Sequence, residues 1–130
     1  MKNYDFIIVL PYSFTDHPSF PEGVLKRVLE YKSYSVGVIE KPNWHDVNDF
    51  KKLSKPKLAF LIVSGPMDSL ILNYTSLKKR RREDLYQIKG KPFFNSKENS
   101  IKNKIRPDNT TIVYANKIKE AYKDAYIIIG

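Results

Sequence analysis

The sequence contains no cysteine and only two histidines, His17 and His45. Without thiols the chain forms no disulfide and supplies no thiolate ligand to zinc or to an iron–sulfur cluster. Two histidines are also too few for a His-rich metal site. No apolar run approaches the roughly 20 residues that cross a bilayer, so the sequence predicts no transmembrane helix.

The N-terminus lacks the pattern of a secretory signal. Asp5 stands directly before the short apolar run Phe6–Leu10, which ends at Pro11, and no small-residue cleavage site follows. We therefore expect a cytoplasmic protein without membrane attachment.

Basic residues outnumber acidic ones, 23 to 14, which gives a formal net charge of +9. Such a charge favours acidic partners such as nucleic acid, phosphates or an acidic protein face. A lysine-rich composition is equally typical of proteins from AT-rich genomes, so the charge alone selects no function.

Short apolar runs alternate with segments of helical spacing. Continuous apolar runs are typical of strands buried on both faces of a parallel sheet. The predicted strands are Phe6–Leu10, Tyr34–Ile39, Leu58–Val63 and Tyr126–Ile129. The predicted helices run from Pro21 to Tyr31 or Lys32, over Asp49–Leu53, from Met67 to roughly Lys79, and from a cap within Asp108–Thr110 to about Tyr122. This order predicts an α/β, Rossmann-like fold, a parallel sheet flanked by helices.

A length of 130 residues fits a single domain, residues 1–130. Residues 86–107, which are rich in Asn and Lys, predict an irregular or mobile excursion. The last apolar run ends at Gly130. We expect this domain to be the N-terminal part of a longer protein, although a small domain with a terminal strand fits the pattern too.

Several segments resemble the N-terminal region of the YgiQ-type radical SAM proteins. They follow one another in the same order over nearly the whole chain. The segments are DHPSF at 16–20, VGVIEKPNW at 36–44, MDSLILNYTSLKKRRREDLY at 67–86 and RPDNTTIVYANKIKEAYKDAYIIIG at 106–130. This chain departs from the family at Ala115, where a cysteine is frequent, and residues 93–103 resemble an Asn/Lys-rich variant of a variable loop.

The resemblance implies a cobalamin-binding-like Rossmann domain followed by a catalytic barrel. In that barrel a CxxxCxxC motif holds a [4Fe–4S] cluster and S-adenosylmethionine, so the motif is expected outside residues 1–130. The sequence argues against cobalamin binding without disproving it. The DxHxxG motif that places a histidine on cobalt is missing, since Asp16 and His17 are adjacent and His45 does not fit, but some cobalamin-binding domains of radical SAM enzymes lack that histidine.

The first candidate site is the loop after the first strand. Asp16 and His17 lie there, at the edge of the sheet where doubly wound folds bind ligands. An Asp–His pair suits acid–base work or contact with the rest of an enzyme. The plainer alternative is that Asp16 caps a turn and His17 packs against a neighbour.

Two further candidates lie between residues 64 and 82. The turn Ser64–Ser69 precedes a predicted helix, whose free N–H groups suit an anion, but it has no GxGxxG pattern. The cationic run Lys78–Arg82 suits phosphate contacts. It equally suits a solvated helix end that is partly paired with Glu83 and Asp84.

The leading hypothesis is an accessory domain of a radical SAM, iron–sulfur enzyme of unknown substrate. The domain itself would not be catalytic and would shape substrate or cofactor access to a downstream barrel of the same polypeptide. The residues predicted to contact a ligand or that barrel are Asp16, His17, Asp68, Asn73, Tyr74, Lys79, Arg80 and Arg81. The alternatives are a free-standing basic module that binds nucleic acid and a domain that binds cobalamin or a nucleotide in its own right.

Overall fold

In the computed structural model, the described residues are 2–17, 19–64 and 107–130. Their four strands form one fully parallel sheet in the order β2-β1-β3-β4. The strands are β1 Phe6–Leu10, β2 Val36–Glu40, β3 Ala59–Ile62 and β4 Ile127–Ile129. The helices are α1 Pro21–Tyr31, a 3₁₀ helix Val47–Lys51, and α2 Thr110–Ala121. The predicted α/β, Rossmann-like fold is confirmed.

The parallel register sends alternate side chains to the two faces of the sheet. Phe6 pairs with Val36 on one side and with Ala59 on the other, and Phe60 pairs with Ile127. Because paired residues of parallel strands point to the same face, each face collects one parity from every strand. The apolar runs that predicted the strands therefore fill two separate cores.

The first face is covered by α2 and the 3₁₀ helix. Phe50, Phe60 and Tyr114 are completely buried there. The rings of Phe50 and Tyr114 meet edge to face at 5.5 Å, and those of Phe60 and Tyr122 stack at 6.1 Å. Aromatic pairs at these separations add to the stabilisation that burial alone provides.

The second face is covered by α1 and by the loop that precedes it. Phe20 and Leu29 pack against the buried residues of the strands and of the segments that follow them on this face. Those buried residues are Ile8, Leu10, Tyr12, Val36, Leu61 and Val63. Other apolar residues of α1 stay exposed. The apolar spacing that predicted this helix therefore includes residues that do not face the sheet.

Four elements begin at other residues than predicted. β3 and β4 each begin one residue later, at Ala59 and Ile127. β2 begins at Val36 rather than Tyr34, because the Tyr34 N–H still donates to the Leu29 carbonyl in the turn after α1 (3.0 Å). The 3₁₀ helix begins two residues before the predicted Asp49. Its start is fixed by the Asp46 carboxylate, which accepts a hydrogen bond from the Asn48 N–H (2.9 Å).

The start of α2 lies within the predicted range, but it lacks the predicted hydrogen bond from a capping side chain. The residue at the cap is Asn109, whose side chain makes no capping hydrogen bond. The Thr110 hydroxyl instead donates to the Pro107 carbonyl (2.9 Å). Within this helix Tyr114 is fully buried, whereas Ile112 is 64% exposed.

The last strand was predicted to be buried, and that prediction is wrong. β4 lies at the edge of the described sheet and pairs only with β3. Ile128 and Ile129 are each 56% exposed. An apolar run does not distinguish a central strand from an edge strand, because its position in the sheet depends on the rest of the chain.

The predicted helix from Met67 to Lys79 lies outside the described residues. So does nearly all of the predicted excursion over 86–107, of which only Pro107 is described. Both stay predictions.

Candidate functional site

The strand order places a topological switch point beside β1. The chain moves from β1 to β2 on one side and then returns to β3 on the other side of β1. In doubly wound sheets, ligands bind outside the carboxyl ends of the strands at such a switch point. The loop from Pro11 to Phe20 follows β1 at this edge, and Ser64 follows β3 there. This edge is therefore the candidate functional site.

Asp16 lies in the loop after β1 and forms a two-point ion pair with Arg27 of α1. The Arg27 Nε donates to Asp16 Oδ1 at 2.8 Å, and its Nη2 donates to Oδ2 at 2.9 Å. Both side chains are at least half exposed. The guanidinium, first through its hydrogen bond and then through its charge, lowers the pKa of Asp16, and the carboxylate raises the pKa of Arg27.

His17 has a different set of contacts. Its Nδ1 accepts a hydrogen bond from the Ser19 N–H (3.1 Å), and its carbonyl accepts one from the Phe20 N–H (3.0 Å). The ring is exposed at the start of α1. Asp16 is paired with Arg27 and His17 with the Ser19 N–H, so the two side chains have separate partners and present an anion and an exposed imidazole.

Gly23 allows the loop to lie directly on the first turn of α1. A Cβ at this position would come within 2.8 Å of the His17 nitrogen and 3.0 Å of the Thr15 carbonyl oxygen. Both are backbone atoms, so a side chain here would displace the loop. The position of Asp16 and His17 thus depends on having glycine, which has no side chain, at position 23 of the neighbouring helix.

A buried carboxylate lies beneath the same loop. Glu22 is completely buried in the first turn of α1, and its Oε2 accepts a hydrogen bond from the Tyr12 hydroxyl at 2.7 Å. Its Oε1 is buried and has no hydrogen-bond partner within the described part of the chain. A carboxylate is favoured at a helix N-terminus, where the free N–H groups carry partial positive charge. The Tyr12–Glu22 bond joins the end of β1 to the start of α1.

The loop after β2 reaches the same edge of the sheet. Lys41 has a positive φ of 42°, an uncommon conformation for a residue with a side chain, and its N–H donates to the Leu10 carbonyl (2.8 Å). Farther along, the rings of Trp44 and His45 lie 3.8 Å apart at 33°. Asp49 holds this loop by accepting from the Asn43 N–H (2.6 Å).

The structure therefore describes two of the eight predicted site residues, Asp16 and His17. The other six lie outside the described residues and stay predictions: Asp68, Asn73, Tyr74, Lys79, Arg80 and Arg81. Sequence reasoning missed Arg27, Tyr12 and Glu22. Glu22 carried a signal, since an acidic residue directly after Pro21 marks the first turn of a helix. Arg27 carried none, because its partner is 11 residues away.

The described residues offer no group of three or more His, Asp or Glu side chains that could hold a metal ion. The whole chain has no cysteine. Its residues therefore do not fit a thiolate-held iron–sulfur cluster. Among residues 2–17, 19–64 and 107–130, no helix has the length and hydropathy needed to cross a bilayer.

Comparison with known proteins gives a match over the entire chain. The family model described as Radical SAM N-terminal matches residues 1–130. A UPF0313 protein of Clostridium botulinum (strain 657 / Type Ba4) is 48% identical over 126 residues, which are 97% of this chain and 18% of that protein. A UPF0313 protein of Clostridium perfringens (strain SM101 / Type A) is 47% identical over 126 residues, 17% of its length. No solved structure matches the chain significantly.

Proposed function

Since the chain belongs to the Radical SAM N-terminal family, we propose that it is an accessory domain of a radical SAM, iron–sulfur enzyme. It shapes the access of substrate or cofactor to a catalytic barrel elsewhere in the same polypeptide. The observation that carries this proposal is the match over all 130 residues, combined with the small share of the relatives that the chain spans, 17–18% of their length.

The composition indicates which part of the polypeptide holds the cluster. Reductive cleavage of S-adenosylmethionine needs an iron–sulfur cluster, and such clusters are held by cysteine thiolates. This chain has no cysteine, so the cluster and the cofactor belong to the remaining part of the polypeptide. The residues of this chain bind, position or enclose, and none of them takes part in the radical step.

The carboxyl edge of the sheet supports the accessory role. The Asp16–Arg27 ion pair and the exposed His17 ring lie together at the end of β1, beside the switch point of the sheet. Exposed polar groups on a firmly anchored loop suit contacts with a ligand or with a second domain. They would contact whatever enters between this domain and the barrel.

Measurement of 5′-deoxyadenosine release tests the proposal. The full-length polypeptide, supplied with iron, sulfide, reductant and S-adenosylmethionine, should bind a cluster and release 5′-deoxyadenosine. The chain of residues 1–130, treated identically, should do neither. Release by the isolated chain would show that the domain is catalytic, and a full-length protein that binds no cluster would show that the radical SAM assignment is wrong.

The nucleic-acid alternative gains no support from the described residues or from the relatives. The basic run that motivated it, Lys78–Arg82, lies outside the described residues. Within them, several basic side chains are paired with acidic ones: Lys26 with Glu30, Arg27 with Asp16, and Lys55 with Asp124.

A further inference from the structure

Three apolar side chains of α1 point away from the sheet. Val24, Val28 and Tyr31 are 43%, 52% and 86% exposed. Residues four and seven positions apart lie on one side of a helix, so these three form a continuous stripe, here called the α1 ridge. Glu22 and Leu29 lie on the opposite side of the helix, toward the sheet.

Such a stripe is unusual for a helix that covers a sheet. Helices of this kind normally turn their apolar side inward and expose polar side chains. α1 instead buries a carboxylate, Glu22, and exposes two valines and a tyrosine. Apolar residues spaced by about one and two turns are the pattern by which a helix docks into an apolar groove.

We propose that the α1 ridge is the surface on which the rest of the same polypeptide docks. This inference rests on the proposed function, because it takes the chain to be one domain of a larger enzyme. It goes further in naming the surface that joins the two parts and the chemistry of the partner, an apolar groove with a polar rim.

The length of the relatives identifies the occupant. More than four-fifths of each UPF0313 relative lies outside the segment that matches this chain. That remainder is present in every molecule at high effective concentration, because it is covalently attached. A small apolar surface is enough to hold a tethered partner, since most of the entropy of association is already removed by the covalent link.

The same consideration argues against a second copy of the chain as the occupant. A stable interface between separate proteins takes about 20–30 residues on each side, whereas the ridge consists of three. This domain also carries a net charge of +9, so two such domains in direct contact repel one another. An interdomain contact within one chain needs less area than a permanent dimer.

The ion pair described above borders the ridge. Arg27 lies three residues after Val24 and four before Tyr31, so it is their neighbour on the helix surface, and its guanidinium is held by both oxygens of Asp16. A side chain that is already fixed loses less conformational entropy when a partner contacts it. The ridge and this ion pair thus form an apolar centre with a preorganised polar border, the usual anatomy of an interface.

Photo-crosslinking in the full-length polypeptide tests the proposal. Replacing Tyr31 by p-benzoylphenylalanine puts a photoreactive ring of similar shape on the ridge. The matched control carries the same group at Ile112, which is 64% exposed on α2, on the other face of the sheet. Position 31 should crosslink within one molecule to a segment outside residues 1–130, and position 112 should give little of that product.

A second variant separates docking from chance proximity. Adding Val28→Asp to the position-31 probe should lower its crosslink yield by about tenfold, because an unpaired carboxylate in an apolar contact costs more than about 1.4 kcal/mol. Ile112→Asp should leave the yield unchanged. Circular dichroism of both variants checks that the fold is kept.

Three outcomes would overturn the inference: a crosslinked dimer, a crosslink to residues 65–106 of this chain, or equal yields from positions 31 and 112. Release of 5′-deoxyadenosine by the same preparation is measured alongside. If release occurs and the crosslink forms a dimer, the docking surface is wrong and the proposed function stands. If no cluster binds and no release occurs, the proposed function itself has failed.

Discussion

The two faces of the sheet differ in what the helices that cover them bury and expose. On the first face, large side chains from β1, β3, α2 and the 3₁₀ helix interlock, and Phe50, Phe60 and Tyr114 are fully buried. On the second face, α1 buries the carboxylate of Glu22 and turns Val24 and Val28 outward. Both faces hold a buried core, but the helix on the second face also leaves apolar side chains exposed.

The difference separates the aromatic core of this domain from the side that carries the candidate functional site. A core of interlocked aromatic rings tolerates little change, because each ring fills space that nothing else fills. On the α1 side, Phe20 and Leu29 pack against the second core, whereas Val24 and Val28 are 43% and 52% exposed. Functional sites commonly break the rules of good packing, and α1, which begins beside the candidate site, breaks them by burying Glu22 and exposing Val28.

The largest expected effect comes from a ring on the first face. Phe60→Ala should lower the free energy of unfolding by about 3–5 kcal/mol, through lost burial and the cavity left behind. Phe60 is completely buried in β3 and stacks on Tyr122. Urea denaturation followed by circular dichroism measures the change.

Tyr126→Ala is the matched control, because this ring is 76% exposed just before β4. It should change the free energy of unfolding by less than about 0.5 kcal/mol. Domains of this size are commonly stable by about 5–15 kcal/mol, so Phe60→Ala may be replaced by the milder Phe60→Leu where the alanine variant does not fold. Equal effects of the two alanine substitutions would contradict the assignment of the core to the first face.

A smaller effect is expected on the second face, at Gly23. Gly23→Ala should destabilise the domain by about 1–3 kcal/mol, although alanine is the better helix former, because its Cβ would overlap the loop backbone. The new methyl group would lie 2.8 Å from the His17 nitrogen. Thermal unfolding reports the loss of stability, and the NMR signals of residues 15–17 report the displaced loop.

Gly130→Ala provides the control, since a Cβ there meets nothing within 4 Å. It should leave both the unfolding temperature and the loop signals unchanged. A Gly23→Ala variant as stable as the wild type, with an unshifted loop, would show that the contact between the loop and α1 is looser than described.

Much of the fold was predictable because it depends on local patterns. β1 has the predicted bounds Phe6–Leu10, since a short apolar run that ends at a proline has few other interpretations. α1 begins at Pro21 as predicted, because proline suits the first turn of a helix. The edge position of β4 was not predictable, since it depends on which strands the rest of the chain supplies.

The candidate site was predictable in location but not in its contacts. Asp16 and His17 follow the first strand, so any parallel sheet brings them to the carboxyl edge. The partner of Asp16 is Arg27 in α1. This pairing depends on how α1 lies against the loop, which local spacing does not show. The exposure of Val28 was hidden as well, because helical spacing shows which residues share a side but not which side faces the sheet.

The smallest expected effect concerns the charge at the candidate site. Removing the guanidinium in Arg27→Gln should raise the pKa of Asp16 toward its ordinary value, because the hydrogen bonds and the positive charge that lower it are lost. Arg27→Lys should give an intermediate pKa, since an ammonium keeps the charge but not the two-point geometry. Titration of the Asp16 carboxyl carbon by NMR measures all three values.

The sign of the pH dependence follows from the same contact. The pKa of Asp16 is lower in the folded state than in the unfolded state, so the ion pair stabilises the fold fully above the unfolded value, and this contribution disappears as the pH falls through the folded value. The difference in unfolding temperature between the wild type and Arg27→Gln should therefore shrink in acid. Because both side chains are largely exposed, the difference should also shrink in high salt. A difference that persists in acid and in salt would mean that Arg27 acts through packing rather than charge, and the polar border of the α1 ridge would then have to be assigned to other side chains.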